Sequence, residues 1–283
     1  MNYKIKDERI KAIIFLVISS ILASTGGILI KLVDWNPIAI AGSRSLIASI
    51  VILIYLKKPK FTFNKAQVLG SIAYTSTVIL FVTANKLTTS ANAILLQYTS
   101  PIFVALLGIW ILKEKIYNYD WVTMFIVFGG MILFFIDDVG LGNMVGNIFS
   151  IMSGFFFACV TISLRFQKDG SPVDTVLSGN VLTFLVAIPF ILGSIPDSRS
   201  IIGLVLLGVF QTGFCIILYA LAMKHIKAIE AALITVIEPL LNPMWVFIFS
   251  GEKPGLYAII GGIIVLSSVT IRGIYVSRKP EKV

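Results

Sequence analysis

Long unbroken apolar runs, separated by short polar joints, set the pattern of this chain. They cover approximately residues 10–33, 37–56, 66–86, 90–112, 121–136, 144–166, 174–193, 200–222, 228–250 and 255–275. A helix rises about 1.5 Å per residue, so a run of about 20 residues crosses a hydrocarbon layer about 30 Å thick. The apolar character is continuous rather than alternating, which predicts helices and not barrel strands. The pattern therefore predicts an all-α integral membrane protein with ten transmembrane helices.

Composition agrees with the pattern. The chain has 283 residues, of which 57% are hydrophobic and 13% charged, with a mean hydropathy of +0.96. A soluble domain carries about 25% charged residues, so this chain lacks the polar groups to cover its own surface in water. The first run has no convincing small-residue cleavage site and reads as a retained helix rather than a signal peptide. Loops are short throughout, which leaves no room for an appended soluble domain and gives no reason to expect more than a monomer.

The net charge of +9 would suit nucleic acid, but its placement points to the bilayer. With the N-terminus inside, 18 of the 23 lysines and arginines fall in inner segments, from Lys4 to Lys282. Only Lys31, Lys86, Arg199 and Lys253 lie outside, and Arg44 is within a helix. The positive-inside rule then puts both termini in the cytoplasm, in an inner or plasma membrane, with lipid and not nucleic acid as the partner. Cys159 and Cys215 sit inside apolar runs, so no disulfide or metal site is expected, and nothing suggests a cofactor.

A repeat lies beneath the runs. Pro239 follows Pro101 by 138 positions, and at that offset Glu114-Lys115 falls on Glu252-Lys253, Ala93 on Ala231 and Lys86 on Lys224. The stretch from Leu80 to Lys115 aligns with its copy without a gap. Five helices precede the central joint at Asp137-Asp138, so the second five start from the opposite side. The expected organisation is two inverted five-helix repeats, residues 1–138 and 139–283, around a central cavity. Inverted repeats around a midplane site are a recurrent plan of secondary transporters, because each half supplies a symmetry-related opening.

The candidate chemistry centres on the ninth run. Glu238 stands at membrane depth, where a carboxylate costs about 2.5–3.5 kcal/mol on insertion scales and is functional by default. Pro239 follows it directly and Pro243 four residues later, and they free backbone carbonyls. Thr235, Glu238, Asn242 and Trp245 share one helical face. Glu238 is the candidate proton carrier or partner of an ammonium group; its alternative role is to cap those freed carbonyls. Arg44, some seven residues into the second helix, could hold a substrate carboxylate in a forked pair or tie helices together. Should the two meet across the cavity, they would suit a zwitterion. Gln97 and Tyr98 precede Pro101, Asn180 marks the seventh helix, and Tyr74, Gln211 and Tyr219 lie in polar stripes at helical spacing. Glutamine and asparagine are costly in lipid and should face protein or water. Tyr74, Tyr219 and Trp245 could sandwich a flat or cationic group. Lys31 and Arg165, near the ends of the first and sixth helices, either snorkel or act as gate charges at the two mouths. Glu230 is explained by a helix N-terminus, and Glu114-Lys115 by a solvated helix end.

These residues resemble the ten-helix, EamA-type branch of the drug/metabolite transporter superfamily over nearly the whole chain. The marks are Lys31, Arg44, the F-x-x-A-x-K pattern of Phe81, Ala84 and Lys86, then Pro101 and Glu114. The second half repeats them as Tyr219, Ala222 and Lys224, then Glu238-Pro239 and Gly251-Glu252. The resemblance implies a basket of helices around a cavity, the fifth and tenth at its periphery, and transport of small organic metabolites. It does not fix the substrate. The tenth helix departs from the pattern, with Ser267-Ser268 where the fifth has Gly129-Gly130, so close packing there is expected to differ between halves.

The expected function is a secondary active transporter that moves a small polar metabolite, an amino acid or similar zwitterion, by alternating access, driven by its own gradient or by proton exchange at Glu238. A non-transporting membrane scaffold or assembly protein, an exporter of nucleobases, amines or organic acids and, more weakly, a channel are the alternatives. The single histidine, His225, and the lack of an acid pair, nucleophile elbow or metal cluster give an enzyme no footing.

Overall fold

The computed structural model describes residues 2–136, 143–193, 195–241, 245 and 255–278. All regular structure among them is helical. In chain order the helices are α1 (Asp7–Leu32), α2 (Pro37–Leu56), α3 (Lys65–Leu87), α4 (Asn92–Leu112) and α5 (Asn118–Phe134). There follow α6 (Met144–Phe166), α7 (Pro172–Ile191), α8 (Ser198–Ala222), α9 (Ala228–Ile234, helical again over 237–241) and α10 (Leu256–Arg278). Eight of the helices among the described residues are long and apolar enough to cross a membrane, and α5 is a shorter apolar one. The end of the ninth run lies outside the described residues.

The helices start where side chains can serve their free N–H groups. Asn36, Asn64, Asn143 and Asp197 each accept amide hydrogens from the first turn of α2, α3, α6 and α8, as N-caps do. Three helices are broken inside the expected apolar runs. In α1, Ser24 and Thr25 hydroxyls bond back to the Ile21 and Leu22 carbonyls, and Gly26 restarts the helix. In α4 the break falls at Tyr98-Thr99, just ahead of Pro101. In α9 it falls at Thr235-Val236, just ahead of Pro239. Hydroxyls competing for backbone carbonyls and prolines lacking an N–H together explain these interruptions. The α4 and α9 breaks coincide under the 138-residue offset. Wide π turns at Gly108–Leu112 and Leu207–Phe214 are further irregularities, in α4 and α8, that the apolar pattern does not disclose.

Packing is between helices distant in sequence. α3 lies against α6 and α7, while α8 lies against α1 and α2. α2 pairs with α7 and α5 with α10. Exchanging every helix for the one five places along leaves this pattern unchanged. At the α5–α10 contact, a Cβ added to Gly261 would lie 2.6 Å from the Gly130 carbonyl oxygen and 2.5 Å from the Phe134 nitrogen. Gly130 and Gly261 thus face each other across the pair. Gly129 has nothing near it. The two halves use different positions for this close approach: Gly130 in α5 but Gly261 in α10, not the Ser267-Ser268 pair that aligns with Gly129-Gly130.

One end of the bundle is tied by buried charges that the sequence pattern assigns to solvent. Arg272 Nε and Nη2 both donate to Asp120 Oδ1, at 3.0 and 2.8 Å, and Arg272 Nη1 lies 3.4 Å from Glu230 Oε1. Glu230 also pairs with Arg9. This links α5, α10, α9 and α1. Glu230 is held by two guanidiniums, so a helix N-terminus is not its main partner. Arg165 Nε donates to Glu114 Oε1 at 2.8 Å, and Glu114 accepts the Ala228 amide at 3.1 Å. Glu114 is therefore an anchor between α4, α6 and α9 rather than a solvated helix end.

Candidate substrate cavity

The breaks in α4 and α9 open toward a cavity of about 120 Å³ at the centre of the bundle. Polar side chains reach it from separate helices: Arg44 from α2, Tyr74 from α3, Gln97 and Tyr98 from α4, Gln211 and Tyr219 from α8, Thr235 and Glu238 from α9. These eight come from both halves of the chain, at positions up to 194 residues apart (Arg44 to Glu238), so only the fold brings them together. Each is set by a specific neighbour. Arg44, 3% exposed, donates from Nη1 to Gln211 Oε1 at 2.9 Å. Its buried Nε has no hydrogen-bond partner among the described residues. Tyr98 Oη lies 2.8 Å from both the Thr235 carbonyl oxygen and Glu238 Oε2. Gln97 donates to Ser153 Oγ at 2.9 Å, and Ser153 in turn donates to the Thr77 carbonyl. Tyr219 Oη is 2.7 Å from Thr161 Oγ1, whose own hydrogen goes to the Phe157 carbonyl, so the tyrosine is the donor between them.

Arg44 and Glu238 line the same space, yet no ion pair among the described residues joins them. Each is held by a neutral partner, Gln211 or Tyr98. Glu238 is the only acidic side chain lining the cavity among the described residues.

A protein-family comparison decides what kind of molecule this cavity belongs to. The model described as the EamA-like transporter family matches residues 10–136 and again residues 144–272. The chain belongs to the EamA-like transporter family. Among curated proteins, an uncharacterized transporter of Archaeoglobus fulgidus is 24% identical over 259 residues, covering 90% of this chain and 94% of its own. One from Methanothermobacter thermautotrophicus is 26% identical, covering 93% of this chain and 84% of its own. A solved crystal structure superposes with a TM-score of 0.78 at 15% identity, covering 94% of this chain and 98% of that one, and so shares the fold.

In this membrane transporter the other described candidates, Asn180, Trp245, Lys31 and Arg165, lie apart from the cavity lining. Asn180, fully buried on α7, accepts from Tyr74 Oη at 3.2 Å and so positions that ring. Trp245 donates its indole N–H to Ser24 Oγ at 2.8 Å, at the α1 break. Asn242 lies outside the described residues. Lys31 has an exposed side chain whose Nζ donates to the Thr88 carbonyl at 3.2 Å. Arg165, besides its Glu114 pair, donates to the Met223 and Lys224 carbonyls at 3.0 and 3.1 Å. The lining also includes residues that the sequence pattern does not single out. Ser19 donates to the Cys215 carbonyl at 3.0 Å, and Thr212 and Phe157 complete the wall. Ser19 precedes Ser20 by one residue, and Phe157 lies one turn before Thr161. The helical spacing is thus a usable signal for Phe157.

Gly154 of α6 explains how the α4 break is seated. A Cβ there would stand 2.5 Å from the Gln97 carbonyl oxygen. Pro101, four residues on, has no N–H for that carbonyl. Only glycine lets the α6 backbone approach it.

Proposed function

We propose that this protein is a secondary active transporter of a small zwitterionic metabolite, of the amino-acid type, working by alternating access through the central cavity. The observation that carries the reading is the pairing of two unlike charges, Arg44 and Glu238, that line one small space without neutralising each other. A substrate carboxylate would lie against the Arg44 guanidinium, and an ammonium against Glu238, within reach of Tyr98. Pockets for drug-sized ligands run to about 300–1,000 Å³, so about 120 Å³ favours a small molecule in this conformation. Glu238 serves as the proton-coupling group. The halves 1–138 and 139–283 act as inverted repeats that rock about the site, each burying the opening the other exposes. The transporter works as a monomer in the plasma membrane with both termini cytoplasmic, and leaves its substrate chemically unchanged.

Thermal unfolding of the purified protein against a panel of amino acids, amines and organic acids tests the site. A ligand at 100 times its Kd adds about 2.7 kcal/mol of stability. Stabilisation by zwitterions, lost in both Arg44→Gln and Glu238→Gln, is expected. Stabilisation confined to organic acids, or untouched by Glu238→Gln, would overturn the two-ended reading.

A further inference from the structure

The contacts of Tyr98 carry more than a place in the wall. Its hydroxyl sits 2.8 Å from two acceptors, the Thr235 carbonyl and Glu238 Oε2, both at the ordinary length of a strong O–H···O bond. A phenol has one hydrogen to give. With Glu238 ionised, one of these contacts would set oxygen lone pairs against each other, or a shared hydrogen would half-serve both. With Glu238 protonated, both contacts are made in full. The carboxyl donates to Tyr98 Oη, and Tyr98 donates to Thr235.

The two ends of this chain of bonds are the two broken helices. Tyr98 stands in the α4 break and Thr235 in the α9 break. The Thr235 carbonyl otherwise accepts only the local Glu238 amide, at 2.9 Å, among the described residues. We propose that Tyr98 is the positioning residue that passes the protonation state of Glu238 to the two helix breaks. Protonated, Glu238 pins α4 to α9 through Tyr98. When the carboxyl gives its proton to water in the cavity, Tyr98 turns its own hydrogen to the carboxylate. The Thr235 carbonyl loses that donor, and the α9 break is held by its local turn alone. Loss of a proton at the site thereby loosens the segment that must move.

The groups facing Glu238 permit this assignment. Tyr98 comes from α4, Tyr219 and Cys215 from α8, Arg44 from α2 and Tyr74 from α3, while α1 and α6 offer Ser19, Ser20 and Phe157. Of these only Arg44 is a fixed charge, and it is bonded to Gln211. The inference rests on Glu238 being the proton-coupling group, and its test separates the two.

Amide hydrogen exchange over residues 231–241, in lipid and corrected for the chemical pH dependence of exchange, reads the pin with protons as the only ligand. The wild type should lose protection by about fivefold, the worth of one hydrogen bond, as the carboxyl deprotonates. Glu238→Gln should show no such step; a step that survives there overturns the Glu238 assignment itself. Tyr98→Phe should also show no step, although infrared spectra still record the Glu238 carboxyl band titrating. A wild-type step retained in Tyr98→Phe would refute the relay and leave Glu238 in place. Infrared titration of the wild type tests the relay without a variant. A tyrosine ring mode must shift at the midpoint of the carboxyl band, and a silent tyrosine overturns the proposal.

Discussion

Replacing Asp120 by Asn should destabilise the transporter by about 2–3 kcal/mol. The Asp120 and Arg272 side chains are 2% and 5% exposed, and two guanidinium N–H groups converge on one carboxylate oxygen. Removing one partner of a buried pair typically costs about 3–5 kcal/mol, because a charge is left without compensation. Here Glu230 stays within 3.4 Å of Arg272 Nη1 and takes up part of the loss, and Asn still offers an oxygen acceptor, so the lower figure applies. With about 2–4 °C per kcal/mol for chains of this order, the apparent Tm in detergent should fall by about 5–10 °C. The companion variant Asp120→Leu with Arg272→Met removes both charges while leaving Arg9 paired with Glu230. It should be more stable than Asp120→Asn alone, since well-packed apolar replacements of buried pairs are often neutral. A Tm for Asp120→Asn within about 1 °C of wild type, or a double variant that is worse than the single one, would refute the reasoning.

Gly154→Ala should lower Tm more than Gly129→Ala, because its Cβ meets the Gln97 carbonyl at 2.5 Å while that of Gly129 meets nothing; equal melting curves would contradict the packing at the α4 break. Tyr219→Phe deletes the bond to Thr161 and should cost about 1 kcal/mol by chemical denaturation, with no change if the hydroxyl is instead solvated. Asp197 caps α8, and the Ser200 hydroxyl and amide hold its carboxyl below the usual carboxylate range. A lowered value in the folded state means its contribution is present at neutral pH and is lost as pH falls through that value, below about pH 4. Exchange protection of the first α8 turn should drop there, and a drop near neutrality would contradict the cap.

Much of the fold was legible because the bilayer imposes a coarse rule: apolar runs of sufficient length must be helices. The run at 144–166 coincides with α6, and 37–56 with α2. The cavity was legible for a related reason. Polar residues such as Glu238 and Gln97 are costly in lipid, so their presence at helical spacing marks an inward face. That rule cannot say which inward residue meets which. Trp245 shares a face with Glu238 by spacing, but its indole bonds to Ser24 of α1 rather than lining the cavity. The charged anchors were illegible because their partners lie far apart, 51 positions for Arg165 and Glu114 and 152 for Arg272 and Asp120. A basic residue at a helix end reads the same in sequence whether it meets water or a buried acid. The π turns at Gly108–Leu112 and Leu207–Phe214 leave the apolar pattern intact, so nothing in it announces them.

Transport across a sealed membrane tests the central claim most directly. Proteoliposomes on a solid-supported membrane would be challenged with neutral zwitterionic amino acids, then with matched amines and carboxylates. Proton-coupled movement of a zwitterion carries net charge, so the wild type should give a transient current that reverses with the pH gradient. Arg44→Gln and Glu238→Gln should both abolish it. A current that persists in Glu238→Gln, or one evoked by the carboxylates and not by the zwitterions, would contradict the account.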